Sequence, residues 1–346
     1  MRKICCLWML LLVSGCGGGG GGSPSQNVGV DTTKPAITYA APANRDTSVG
    51  TNSTITVSFS EAMNPATINS NTFTVSAPDG SKVSAAVVYD ADNRIAQFKP
   101  AAAMNPNTVY TVAVDHEVTD QAGNAMGTSY SWAFTTESAA DTTAPMVISH
   151  SPQGNDVPVN SQIAAVLSEA VDPATLTAAT FTISGNGNAI TGNVTLVGTT
   201  AIFTPGSSLT ANTSYTATLT TGVKDLAGNG MTAGYSWSFT TRSSAAPDTV
   251  APRIISTNPA DDAQNVPLNA SIVILFDKPI YPILLGLVDG IPTKTVITYN
   301  PDLTTEIRII PTQDLRPGGT YRSRIAPKDL SGNQIATYTW EFSTVP

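Results

Sequence analysis

Apolar and polar residues alternate in short stretches through most of the chain. Ile55, Val57 and Phe59 alternate with Thr54, Thr56 and Ser58, and Phe73 and Val75 flank Thr74. Alternation with a period of two puts one face of a strand on a core and the other toward water. The same pattern predicts short strands over 83–89, 95–98, 110–114 and 130–134. Turn-forming runs separate them: Pro78-Asp79-Gly80, Asp90-Ala91-Asp92-Asn93 and Asn105-Pro106-Asn107. About seven such strands in roughly 100 residues predict an antiparallel sandwich of the immunoglobulin-like kind. Pro65-Ala66-Thr67 and Pro173-Ala174-Thr175 each suit one helical turn after the second strand, and Tyr110, Tyr215 and Tyr321 stand where a tyrosine corner is expected.

One phrase occurs three times. Asp120-Gln121-Ala122-Gly123-Asn124 precedes Trp132-Ala133-Phe134-Thr135-Thr136. Asp225-Leu226-Ala227-Gly228-Asn229 precedes Trp237-Ser238-Phe239-Thr240-Thr241. Asp329-Leu330-Ser331-Gly332-Asn333 precedes Trp340-Glu341-Phe342-Ser343-Thr344. A repeat of this length is a whole domain in tandem. The expected fold class is therefore all-β, with three tandem immunoglobulin-like sandwiches over residues 31–136, 141–241 and 248–344, the last divergent. The tryptophans recur at one strand position and are expected in the core. Short, proline-containing linkers limit bending, and strands of about 8–10 residues predict a rod on the order of 100 Å long.

The amino end follows a different pattern. Arg2 and Lys3 precede a ten-residue apolar run, Ile4 to Val13, too short to span a bilayer as a helix. Val13-Ser14-Gly15-Cys16 follows, and the whole reads as a secretory signal over residues 1–15. It resembles a bacterial lipoprotein signal whose lipobox ends at Cys16. That resemblance implies cleavage before Cys16, acylation of Cys16, and attachment to a membrane through the lipid. Gly17 resembles the second residue that accompanies outer-membrane sorting. Residues 16–30, with glycine from 17 to 22, read as a flexible tether.

Charge narrows the function classes. Without Arg2 and Lys3, 15 basic residues face 25 acidic ones, and no domain is basic. This argues against nucleic acid as a partner. Cys16 is the only cysteine beyond the signal, so an intrachain disulfide is excluded there. His116 and His150 lie in different repeats without a paired histidine, and no nucleophile–base set is present, so no catalytic residues are assigned and the chain is expected not to be an enzyme.

The ordered set of a proline-opened first strand, Phe59-Ser60-Glu61-Ala62-Met63, Asn107-Thr108-Val109-Tyr110, Asp120 to Asn124 and Trp132 to Thr136 resembles the SbsA-type bacterial immunoglobulin-like domain. The resemblance implies exported or cell-surface proteins, S-layer-associated spacers and accessory modules, and no catalytic residues. The third copy departs from it. Phe276-Asp277-Lys278-Pro279 stands where the others have Phe59-Ser60-Glu61-Ala62 and Leu167-Ser168-Glu169-Ala170.

In such a sandwich Asp31, Glu61 and Asp120 are expected to converge at one pole of the first domain, and Asp141, Glu169, Asp172 and Asp225 at that of the second. The pole faces the preceding domain. Several carboxylates near one point favour a cation, and calcium suits irregular oxygen-rich loops. The competing reading is turn chemistry alone, with Asp accepting backbone N–H bonds while Gly and Asn take left-handed conformations. In the third domain Lys278 argues against an ion. The apolar segment Ile280, Tyr281, Ile283, Leu284 and Leu285 is either a rebuilt core strand or an exposed partner contact for a protein or polysaccharide. Two functions compete: a lipid-anchored display rod for structural or adhesive contacts at the outer membrane or cell surface, and a module binding peptidoglycan or exopolysaccharide or serving as accessory subunit of an extracellular assembly.

Overall fold

The computed structural model describes residues 31–282, 287–288, 291–299, 304–311 and 314–346. The expected signal and tether of residues 1–30, including Cys16, and the Ile283, Leu284 and Leu285 part of the apolar segment lie outside them.

The first repeat contains β1 (Ile37–Ala41), β2 (Ile55–Phe59), β3 (Phe73–Ser76), β4 (Ala85–Asp90), β5 (Ile95–Pro100), β6 (Val109–Val114) and β7 (Tyr130–Thr135). They form two antiparallel sheets, β1-β2-β5-β4 and β3-β6-β7. The period-two reading places the inner face correctly: Ile55, Val57 and Phe59 are buried, as are Phe73, Val75, Val112, Val114, Trp132 and Phe134. Pro65–Thr67 is a single 3-10 turn, capped by Asn64 Oδ1 accepting from the Ala66 N–H.

The second repeat follows with β8 (Val147–Ser151), β9 (Gly154–Val157), β10 (Ile163–Leu167), β11 (Phe181–Gly185), β12 (Asn188–Ala189), β13 (Gly192–Val197), β14 (Thr200–Pro205), β15 (Ser214–Leu219) and β16 (Tyr235–Thr241). Its sheets are β13-β14-β10-β8 and β12-β11-β15-β16-β9, with β9 parallel to β16. The third contains β17 (Ile254–Asn258), β18 (Ala263–Val266), β19 (Ile272–Phe276), β20 (Leu287–Val288), β21 (Ile291–Tyr299), β22 (Thr305–Pro311), β23 (Thr320–Ile325) and β24 (Tyr338–Thr344). Here the divergence is topological. β3 and β11 each join the second sheet, whereas β20 forms a hairpin with β21 in the first sheet, β17-β19-β22-β21-β20.

The tyrosine corners form as expected: the hydroxyls of Tyr110, Tyr215 and Tyr321 accept from the N–H groups of Asn105, Thr210 and Arg316 at 2.8, 2.8 and 2.6 Å. The core tryptophans differ. Trp132 donates to the Pro42 carbonyl at 2.9 Å and Trp237 to that of Pro152 at 3.1 Å, but the buried indole N–H of Trp340 has no partner among the described residues. An unpaired buried polar group costs about 1–3 kcal/mol. Trp132→Phe is therefore expected to destabilise the first domain by more than Trp340→Phe destabilises the third, by about 1–2 kcal/mol. Denaturant unfolding followed domain by domain checks the difference.

Candidate metal centre

The loop after β2, the residues before β1 and the loop before β7 meet at one pole of the first domain. There one oxygen each of Asp31, Glu61 and Asp120 lies within 4.8 Å of the others. Asp120 is buried and held by its own loop. Its Oδ1 accepts the Asn124 N–H at 2.8 Å and its Oδ2 accepts Asn124 Nδ2 at 2.8 Å. Gly123 closes the turn at φ +93°, a left-handed conformation that favours glycine. Among the Gly-Asn pairs of the three turns only the glycines have positive φ, so the asparagines serve as donors instead. Burial pushes Asp120 upward, but the Asn124 hydrogen bonds outweigh it and hold the group below the ordinary carboxylate range. Glu61 is driven the other way, by burial and then by the charges of Asp120 and Asp31. Its Oε1 is buried and has no hydrogen-bond partner among the described residues.

The second domain repeats the cluster with Asp141, Glu169 and Asp225, again within 4.8 Å. Asn229 grips Asp225 at 2.7 Å from its N–H and 2.6 Å from Nδ2. Burial raises Asp225 despite those bonds. Burial, reinforced by Asp141 and Asp225, pushes Glu169 up to about 7. Three carboxylates this close carry repulsion that a cation or a proton relieves.

The third domain displays the same pole with a cation built in. Lys278 occupies the position of Glu61 and Glu169. Its Nζ donates to Asp248 Oδ2 at 2.9 Å and Asp329 Oδ2 at 3.2 Å, and also to the Val250 carbonyl. Asp248 corresponds to Asp31 and Asp141, and Asp329 to Asp120 and Asp225. The ammonium outweighs burial and holds Asp248 below its ordinary range, and the two carboxylates hold Lys278 above its own. One fold thus places a positive group between two fixed aspartates in the third copy and a third carboxylate there in the first two.

Asp172 departs from the sequence expectation. It stands apart from the cluster, capping the 3-10 turn Pro173–Thr175 by accepting from Ala174. Both its oxygens accept Gln97 Nε2 of the first domain at 2.8 Å. Burial raises it, with the bonds from Ala174 and Gln97 opposing. Asp172 is therefore a junction residue, and the spacing that placed it near Glu169 could not show which way the turn carries it.

Sequence reasoning missed the residues that join the domains. Asn52 clamps Asp141 from both sides: its Oδ1 accepts the Asp141 N–H at 2.8 Å and its Nδ2 donates to the Asp141 carbonyl at 3.1 Å. Asn160 treats Asp248 identically, at 2.8 and 3.1 Å. Beside each clamp a main-chain bond crosses the junction, Thr54 N–H to Leu226 C=O at 2.7 Å and Gln162 N–H to Leu330 C=O at 3.0 Å. The signal was present in Val49-Gly50-Thr51-Asn52, Val157-Pro158-Val159-Asn160 and Val266-Pro267-Leu268-Asn269. The pole does face the preceding domain, so the Asp141 cluster lies at the first junction and Lys278 at the second. Gly50 permits the close approach, since a Cβ there would lie 2.5 Å from that of Asp141. Gly50→Ala and Asn52→Ala are each expected to loosen this junction, read as faster proteolysis of the 137–140 linker with both domains still folded.

The remaining candidates fall away from chemistry. Ile280 is fully buried in the third core, which overturns the exposed-contact reading for that residue. Tyr281 packs against the same core, and Lys328 Nζ sits 4.3 Å from its ring centroid. His150 lies against Trp237 and 3.0 Å from the Tyr235 hydroxyl, and burial pushes it down. His116 is exposed beside Asp115.

Fold and site together define a tandem array of antiparallel sandwiches joined through acidic poles. The bacterial Ig-like domain model matches residues 31–136, 141–241 and 248–344, and the chain belongs to that family. Bacterial Ig-like domains are a non-catalytic kind of domain. Among solved structures, the chain is similar to the N-terminal part of the bacterial S-layer protein SbsC (16% identity, TM-score 0.24, covering 58% of this chain and 44% of that one). It is also similar to domains 1–6 of SbsC (9% identity, TM-score 0.26, 90% and 54%). The chain spans about half the length of these S-layer structures. No curated protein matches the sequence.

Proposed function

We propose that the chain is a non-enzymatic, lipid-anchored display rod of the cell envelope, held at the outer membrane or cell surface through Cys16, and that calcium stiffens its first inter-domain junction. The observation that carries the reading is the pair of like-built junctions, in which an asparagine clamp and a main-chain bond fix each domain on the next. A chain whose task is to hold its far domain at a distance needs such joints. Among the described residues no helix is long and apolar enough to cross a membrane, and the lipid supplies the attachment. Cys16→Ser is expected to move the protein from the membrane pellet to the soluble fraction; retention in the pellet opposes the anchor.

The Lys278 ammonium supports the calcium assignment. Its counterparts in the first two domains are Glu61, beside Asp31 and Asp120, and Glu169, beside Asp141 and Asp225. These oxygens suit a hard cation that takes 6–8 oxygen ligands. A weak extracellular-type site at millimolar calcium stabilises a domain by about 1–1.5 kcal/mol. Calorimetry with calcium and with chelator is expected to shift the first two domains and leave the third unmoved. Equal traces oppose calcium while leaving the rod intact.

A further inference from the structure

Each internal junction joins a socket to a plug. The socket is the asparagine side chain plus the N–H two residues later: Asn52 with Thr54, and Asn160 with Gln162. The plug is the main chain of the opening aspartate plus the carbonyl after the turn aspartate: Asp141 with Leu226, and Asp248 with Leu330. The third domain has the same socket in Asn269 and Ser271, and the first domain has the same plug in Asp31 and Gln121. Among the described residues, no hydrogen bond engages the Asn269 amide, the Ser271 N–H, the Asp31 N–H or the Gln121 carbonyl.

The face beside the socket agrees. In β10, Ala164 and Val166 point away from their own core and are 0% and 2% exposed, because they join the third domain's cluster. Their counterparts in β19, Val273 and Leu275, are half-buried and belong to no core cluster. We propose that this face of the third domain receives the first domain of a second copy, so that copies associate head to tail. The occupant follows from continuity with the two internal junctions: the pole that fits such a socket twice within the chain is also the pole the first domain presents. A head-to-tail contact of one surface with a different one propagates as an open chain unless its rotation closes a ring.

The inference uses the junction geometry of the rod reading, and its test separates the two. Full chains carrying Thr32→Cys and differently tagged full chains carrying Pro267→Cys are mixed and treated with a short bismaleimide, with wild type controlling for Cys5, Cys6 and Cys16. A Pro158→Cys/Thr249→Cys chain, substituted across an internal junction, calibrates the reach. The expected result is a covalent product joining the two tags, reduced about tenfold by Asn269→Ala and also by Ser271→Pro, which removes the second donor. An internal link without any product between the two tags overturns head-to-tail association and leaves the rod standing. A product insensitive to both variants overturns the socket assignment. Failure of the calibrating link overturns the junction geometry and with it both readings.

Discussion

Lys278→Met is expected to destabilise the third domain by about 3 kcal/mol, the low end for stripping one partner from a buried ion pair. The magnitude follows from burial: the side chains of Asp329 and Asp248 are 3% and 13% exposed, and that of Lys278 is 21%. Removing the ammonium leaves two carboxylates facing each other in a desolvated pole. Lys278→Glu recreates the composition of the first two domains and is expected to be as unstable in chelator, with stability regained on adding calcium. Calorimetry of the third transition reads both effects. A Lys278→Met chain that melts like wild type would show that the ammonium is incidental.

The second large effect is a pH dependence of the calcium-free second domain. Glu169 is raised in the fold to about 7 from its ordinary 4.5. Between those values the folded state binds more protons than the unfolded one, so stability falls as pH rises. The contribution is fully present below the unfolded value and lost as pH passes through about 7. Discounted for the partial exposure of the group, it amounts to about 1–2 kcal/mol. Glu169→Gln is expected to raise the melting temperature of this domain in chelator at pH 8, with little gain at pH 5, and to abolish its response to calcium. A stabilisation equal at both pH values would assign the effect to packing instead of charge.

Much of this architecture was legible because it repeats. Period-two alternation in Ile55 to Phe59 located both the strand and its inward face, and the recurrence of Trp132, Trp237 and Trp340 marked a core position. The Asp120, Glu61 and Asp31 convergence was also legible, since sandwich topology returns those loops to one pole. Asp172 was not. Its direction depends on the 3-10 turn it caps and on Gln97, a residue 75 positions away in another domain. The clamps of Asn52 and Asn160 escaped for a similar reason: a polar residue in a strand-entry loop has many uses, and only its placement against the next domain reveals one. The segment from Ile280 was ambiguous because an apolar run carries no phase. Burial of Ile280 against the third core removes it from the list of surface residues.

The contrast between the two junctions is the centre of this account. The cluster beside the Asn52 clamp sets Glu169 as a third carboxylate against Asp141 and Asp225, whereas the pole beside the Asn160 clamp holds Lys278 between its two aspartates. Calcium is thereby expected to govern one joint of the rod and spare the other. Small-angle scattering of residues 23–346 in calcium and then in chelator tests this most directly. The predicted result is an extended particle whose flexibility increases on chelation, with the increase absent from a chain limited to the second and third domains. Superimposable curves in the two conditions would contradict it and reduce the acidic poles to turn chemistry.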